Sequence, residues 1–259
     1  MNFAYTATIT SLLLFGPAKV GAALFSADFE SPDYNSSVEL AGQQGWTINS
    51  SIPNISHFAS VNASTAGLLG GTFAGPEIAN IALNHAYSAS AGGTSFDVDF
   101  RINPSTPSFP QRDSFGWSFK ASGPGDLFRV AFEPGVPGQL QVLWYDNVNV
   151  GHTLPPAGQD IFYGGAPYHL NVGFTDAGAD LNFTATITGS NAVSWSGTLA
   201  GAGGANLTSF AAVWNLNGPI VDAGDNFMTF DGLTIVPEPS ASLLSVALAT
   251  GLMLRRKRA

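Results

Sequence analysis

Several small constellations in this sequence combine residue types and spacings that could do chemistry. In Trp144-Tyr145-Asp146-Asn147-Val148-Asn149-Val150-Gly151-His152, Trp144 continues an apolar row with Leu140 and Val142. Tyr145 is therefore expected to face outward, beside the side-chain oxygens of Asp146, Asn147 and Asn149. An exposed ring stacks on a sugar face, and Asp and Asn read its hydroxyls or hold calcium. A plain hairpin turn would use the same residues. Arg101, Lys120 and Arg129 occupy outward positions of three alternating runs. If those runs pair as a meander, the cations form one strip where an anionic polysaccharide could dock. The competing arrangement pairs each cation across strands with Asp97, Asp99 or Glu133. Asp222, Asp225 and Asn226 form a second calcium candidate in one loop. Asp97 and Asp99 share a strand face, as a glycosidase carboxylate pair can, but their strand carries no Glu for the acid role. His57, His85, His152 and His169 lack metal-ligand spacing.

Strands must position these groups. Phe96, Val98, Phe100 and Ile102 alternate with Asp97, Asp99 and Arg101; Phe115, Trp117 and Phe119 alternate with Gly116, Ser118 and Lys120. Phe128, Val130 and Phe132 alternate with Arg129, Ala131 and Glu133, and the same period returns six more times before residue 236. Less regular runs cover 24–29, 46–48, 59–61 and 78–83. Gly, Pro, Asn and Asp clusters separate the runs, and no central segment carries a helical stripe. A dozen or so antiparallel strands, each wet on one face, predict an all-β, two-sheet antiparallel sandwich of jelly-roll type.

Charged residues make up 10% of the chain and there is no Cys. This excludes disulfides, thiolate metal sites and a cysteine nucleophile. If both termini are removed, four cations (Arg101, Arg112, Lys120 and Arg129) face seventeen acids, a net charge of −13. Such a domain repels nucleic acid and anionic lipid. Divalent cations such as calcium would soften the self-repulsion.

The stretch Asp28-Phe29-Glu30-Ser31-Pro32-Asp33-Tyr34, followed by Leu40-Ala41-Gly42-Gln43-Gln44-Gly45-Trp46, resembles the opening of concanavalin A-like (LamG-like) domains of exported bacterial proteins. The close, Asp225-Asn226-Phe227-Met228-Thr229-Phe230-Asp231-Gly232-Leu233, is similar as well. The resemblance implies that the first and last strands pair. The glucanase pattern Glu-x-Asp-x-x-Glu, the clustered motifs of sandwich alginate lyases and a Gly-x-Ser-x-Gly elbow are all missing.

The tail has three parts: Val236-Pro237-Glu238-Pro239, an apolar run over 240–254, and Arg255-Arg256-Lys257-Arg258. The prolines leave an extended backbone, the apolar run suits a single transmembrane helix, and the cations stay on the cytoplasmic side. At about 1.5 Å per residue the run spans roughly 22 Å against a hydrocarbon core of about 30 Å, which suits a temporary anchor. This order resembles the PEP-CTERM sorting signal of Gram-negative bacteria. The resemblance implies processing at Pro237, Glu238 and Pro239 by exosortase in the inner membrane, and an association with exopolysaccharide. At the other end, an apolar run over 4–15 precedes small residues around Ala22 and Ala23, as in a signal peptide cut by signal peptidase.

These observations divide the chain into a signal peptide over 1–23, a β-sandwich over 24–235 and a sorting signal over 236–259. They lead us to expect an exported, non-enzymatic protein of the cell surface or extracellular matrix, binding carbohydrate or structuring exopolysaccharide. The alternative is a secreted polysaccharide-degrading enzyme, a glycoside hydrolase or lyase. A cleft with two facing carboxyls would favour the enzyme.

Overall fold

The computed structural model describes residues 24–50, 59–62, 66–71, 80–103, 113–122, 125–136, 138–154, 161–216 and 226–237. Sixteen strands lie among them: β1 (Phe25–Ala27), β2 (Trp46–Ser50), β3 (Ala59–Val61), β4 (Gly67–Gly71), β5 (Asn80–Ser90), β6 (Thr94–Asn103), β7 (Ser114–Ala121), β8 (Asp126–Pro134), β9 (Gln139–Tyr145), β10 (Gly151–Thr153), β11 (Ile161–Phe162), β12 (Tyr168–Ala177), β13 (Asp180–Thr188), β14 (Val193–Leu199), β15 (Asn206–Asn215) and β16 (Asn226–Pro237). They form two antiparallel eight-stranded sheets. The first runs β14-β13-β12-β6-β16-β4-β3, with β1 also on β16. The second runs β10-β9-β8-β7-β15-β5-β2, with β11 also on β9.

Alternation decides which side chains fill the space between the sheets. On β6, Phe96, Val98, Phe100 and Ile102 are buried while the intervening residues are not. They meet the inward rows of β7 and β8. Phe96 lies 4.9 Å from Phe119, and Phe100 stacks on Phe132 at 4.6 Å between ring centroids. Phe128 contacts Phe183 at 4.5 Å, and Trp117 meets Phe230 edge-on at 5.2 Å. An aromatic core of this size holds the sandwich without disulfides. Turn chemistry agrees with the strands: Gly178, at φ +75°, opens the two-residue link between β12 and β13.

Both ends of the sandwich interlock. Phe25 of β1 pairs with Ile235 of β16, as the concanavalin A-like resemblance implies. In the opening segment, Trp46 Nε1 donates to Tyr34 Oη at 3.2 Å, and Phe29 packs 4.9 Å from Tyr34. Gln44 Nε2 donates to the Asp33 carbonyl, and the Gln44 carbonyl accepts from His85 Nε2 at 2.8 Å.

Three expectations need correction. Not every strand is wet on one face: Gly116, Ser118, Ala131 and Ala211 point outward on the second sheet yet are buried. Each of these small residues is recessed beside one larger cross-strand neighbour: Val213, Arg129, Leu143 and Asn84 in turn. The sandwich does not stop at 235, because Val236 and Pro237 are the last rungs of β16, opposite Ser95 and Thr94. Finally, β6 and β7 are consecutive in sequence but lie in different sheets, so they are no meander. The expected signal peptide over 1–23, the helix over 240–254, the basic tail over 255–258, and Glu238 and Pro239 all lie outside the described residues.

Candidate functional site

The change of sheet between β6 and β7 breaks the three-cation strip. Arg101, on β6, projects from the outer face of the first sheet and donates through Nη2 to the Gly164 carbonyl at 3.0 Å. Lys120 and Arg129 sit on neighbouring β7 and β8, on the outer face of the second sheet. These two line a groove of about 430 Å3 together with Asn49, Ser50, Asn80, Asp126 and Asn215. Its floor is Ser118, Ala82, Ala211 and Val213. The register explains the shape: Asn84, Ala211, Ser118, Arg129 and Tyr145 form one cross-strand row, small in the middle and large toward one end.

Arg129 is held on several sides. Its guanidinium carbon lies 3.9 Å above the Tyr145 ring, Nη2 donates to Asn149 Oδ1 at 3.4 Å, and Nη1 is 3.9 Å from Asp126. Its Nε is buried without a hydrogen-bond partner, as is the Ser118 hydroxyl at the floor, on a residue 1% exposed. Burying a polar atom unsatisfied costs about 1–3 kcal/mol.

Tyr145 faces outward as expected but is not a bare stacking platform. Arg129 covers its ring, and a Cβ placed on Gly151 would come within 2.9 Å of the ring edge. Its phenol donates to Glu133 Oε1 at 2.8 Å. Burial first, then Glu133, pushes the phenol above its ordinary pKa, and Arg129 opposes only in part.

Asp146 organises the loop after Tyr145. Asp146 Oδ1 accepts from the amides of Val148 and Val150, at 3.1 and 2.8 Å, and Oδ2 accepts from His152 at 3.1 Å. Burial raises the Asp146 pKa, but the hydrogen bonds from His152, Val150 and Val148, with the charge of His152, bring it below the usual value. Asn147 donates to the Ala200 carbonyl at 3.0 Å. The hairpin turn therefore accounts for Asp146, while Asn147 ties the turn to the loop after β14 and Asn149 serves Arg129. Among the described residues no group of three or more His, Asp and Glu side chains could hold a metal. Asp222 and Asp225 lie outside them, and Asn226 is placed by its backbone alone, at the start of β16.

Sequence reasoning missed one contact on the first sheet. His169 stands opposite Asp99, and its ring nitrogens meet Asp99 at 2.8 Å and Asp97 at 3.2 Å, while Asn171 donates to Asp97 at 2.9 Å. The two aspartates thus bind a histidine and are not merely solvated. A second depression there, about 670 Å3, is lined by Asp99, Asp231, Arg101, Asn103 and Thr229. Its only described cation is the one already bonded to Gly164.

No family model matches the chain, and no curated protein is similar to it in sequence. Solved structures share its fold. A lectin from Bauhinia forficata, in complex with GalNAc, is 12% identical with a TM-score of 0.51, over 83% of this chain and 97% of the lectin. An alginate lyase is 15% identical with a TM-score of 0.53, over 81% of this chain and 95% of the lyase. A Mycobacterium tuberculosis antigen described as a pseudo beta-1,3-glucanase is 11% identical with a TM-score of 0.51, over 84% and 99%. The fold is thus the lectin-like, concanavalin A-like sandwich. The expectation of a non-enzymatic protein is overturned here, because the same fold carries a lyase. The lack of glucanase and lyase motifs does not separate binding from catalysis.

Proposed function

We propose that this chain is a carbohydrate-active β-sandwich that engages polysaccharide across the groove on the outer face of the second sheet. Its export follows the leader over 1–23, and its placement at the cell surface or matrix follows processing by signal peptidase and exosortase. The observation that carries the reading is the groove itself: a small-residue floor, amides from Asn49, Asn80 and Asn215, and two cations. A small-residue floor admits a sugar ring, and the amides of Asn49, Asn80 and Asn215, at the end of the groove away from the cations, read its hydroxyls in both donor and acceptor sense. The fold shared with a lectin and with polysaccharide-related proteins supports the same reading.

A polysaccharide screen on the full-length protein tests it, with Asn49→Ala and Asn215→Ala as groove variants and calcium present or chelated. Retention by at least one polymer, weakened by the groove variants, is the expected outcome. Retention untouched by both variants would place the site elsewhere.

Degradation is the second reading, and Glu133 with Tyr145 favours it: a carboxylate and a phenol in contact at 2.8 Å beside the groove. Incubation with the retained polymer would then release reducing ends or unsaturated sugar ends, and Glu133→Gln would abolish the release.

A further inference from the structure

The groove carries a charge pattern opposite to that of the rest of the chain. Eighteen acids against nine cations give the protein a net charge of −9. The described residues contain Arg101, Lys120 and Arg129 as their only Lys or Arg, and two of these three line this one groove. One acid, Asp126, lines it with them. Glu133, the next carboxylate on β8, is engaged by the Tyr145 phenol. By contrast, Asp97, Asp99 and Asp231 all project from the opposite sheet, with Asp28 and Glu30 close enough to raise the Asp231 pKa.

From this segregation, and resting on the groove being a polysaccharide site, we propose that its ligand is an acidic glycan whose sugar carboxylates are received by Lys120 and Arg129. Four features suit the two side chains to that task. Arg129 cannot swing away freely: the Tyr145 ring, Asn149 and Asp126 set the plane of its guanidinium, and a preset guanidinium meets a carboxylate with little entropy loss. Its Nη1 meets Asp126 only at 3.9 Å, longer than a hydrogen bond, so this terminal nitrogen keeps hydrogens to donate to a ligand. Ser118, directly opposite Arg129 on β7, is a small residue that leaves room beside the guanidinium. Lys120 adds a mobile point charge one strand away.

The chain's own negative charge does not forbid this. Stacked sheets lie about 10 Å apart, so acids on the far face of the first sheet are farther than that from the groove. Screening acts over about 8 Å at physiological ionic strength, which removes most of their repulsion but little of a direct contact. A neutral glucan would gain nothing from either cation, whereas a polyuronate presents a carboxylate on every sugar.

Alginate, carboxyl-reduced alginate and laminarin, a neutral glucan, serve as probes in affinity electrophoresis with the full-length protein. Lys120→Gln, Arg129→Gln, their double variant and Arg101→Gln are compared with the wild type, with folding checked by circular dichroism. The expected result is retardation by alginate well beyond that by its reduced form. The double variant should lose roughly tenfold or more of that affinity, the effect of removing a charge-assisted hydrogen bond, while Arg101→Gln matches the wild type. Added salt should weaken the wild type more than the double variant. If Arg129→Gln fails to fold, Lys120→Gln alone carries the test and should show a smaller loss in the same direction. Equal retardation by native and reduced alginate, or a loss as large in Arg101→Gln as in the double variant, would overturn the carboxylate assignment and leave the groove reading standing. Retardation by none of the three polymers would overturn both.

Discussion

Arg129 and Tyr145 stand directly opposite each other on β8 and β9, with the guanidinium carbon 3.9 Å above the ring. The ring orients the cation, and Glu133 orients the ring by accepting its phenol proton at 2.8 Å. Separate substitutions resolve the two links. Tyr145→Phe keeps the ring and loses only the hydrogen bond, a cost of about 0.5–1.5 kcal/mol. Tyr145→Leu also loses the cation–π contact, about 0.5–1 kcal/mol more, and releases Arg129. Urea denaturation should therefore rank wild type above Phe above Leu, and polysaccharide retention should fall sharply only for Leu. Equal retention losses in both variants would show that the phenol, not the ring, holds Arg129.

Ser118 and Gly116 are neighbours on the outward side of β7, yet they should respond in opposite ways to Ala. The Ser118 hydroxyl has no partner, so Ser118→Ala removes a buried unsatisfied group and should leave stability unchanged or raised. At Gly116 an added Cβ would meet the Val130 carbonyl oxygen, and backbone cannot step aside as a flexible side chain can. Gly116→Ala should cost about 1–3 kcal/mol, as overpacking does. Thermal melts of the two variants decide the point. A marked loss in Ser118→Ala would mean that the hydroxyl serves the fold.

Much of the fold was readable because a two-residue period survives any tertiary arrangement. Phe96, Phe115 and Phe128 had to face the core whichever strands became neighbours. What periodicity does not carry is which strand lies beside which, and in what register. The crossing from β6 to β7 separated Arg101 from Lys120 and Arg129. Register alone placed Arg129 on Tyr145 and His169 on Asp99. The Gly67–Gly71 strand has too little alternation to be seen in sequence, since three of its five residues are glycine. The groove floor was hidden for a related reason. Ser118 and Ala211 look like solvent-facing positions in the pattern, and register alone sets these two small residues side by side, with Arg129 and Asn84 beyond them.

The tail motif meets the sandwich at a defined place. Val236 and Pro237 close β16 against Ser95 and Thr94, and Glu238 is the next residue. Pro237 has no amide hydrogen to donate to the ladder. If an exosortase-type enzyme reads this motif, Glu238→Ala should leave the full chain in the inner membrane with its basic end attached. Mass spectrometry of the wild-type surface form should find a C-terminus near Pro237. A released protein still ending in Arg258-Ala259 would contradict processing at this motif.

Asp231 offers a pH test of the charge distribution. It lies at the β16 bulge, where the Gly232 amide donates to its Oδ1 at 2.7 Å. Burial pushes its carboxyl above the usual range, and Asp28, Asp99 and Glu30 add to the rise. A raised value means the folded chain holds this proton more tightly than the unfolded chain does. Its contribution to stability is therefore complete below the unfolded value of about 4 and is lost as pH rises through the folded value. Near neutral pH the ionised group is a liability among like charges. Asp231→Asn keeps an acceptor for the Gly232 amide and removes the charge. The variant should melt above the wild type at about pH 7, and the gap should close at about pH 3.5, where Asp231 is already protonated. Added salt at neutral pH should narrow the gap as well, because the neighbouring carboxylates act through solvent that ions screen. A variant that melts at or below the wild type at neutral pH would show that the acids around Asp231 do not repel it in the folded protein.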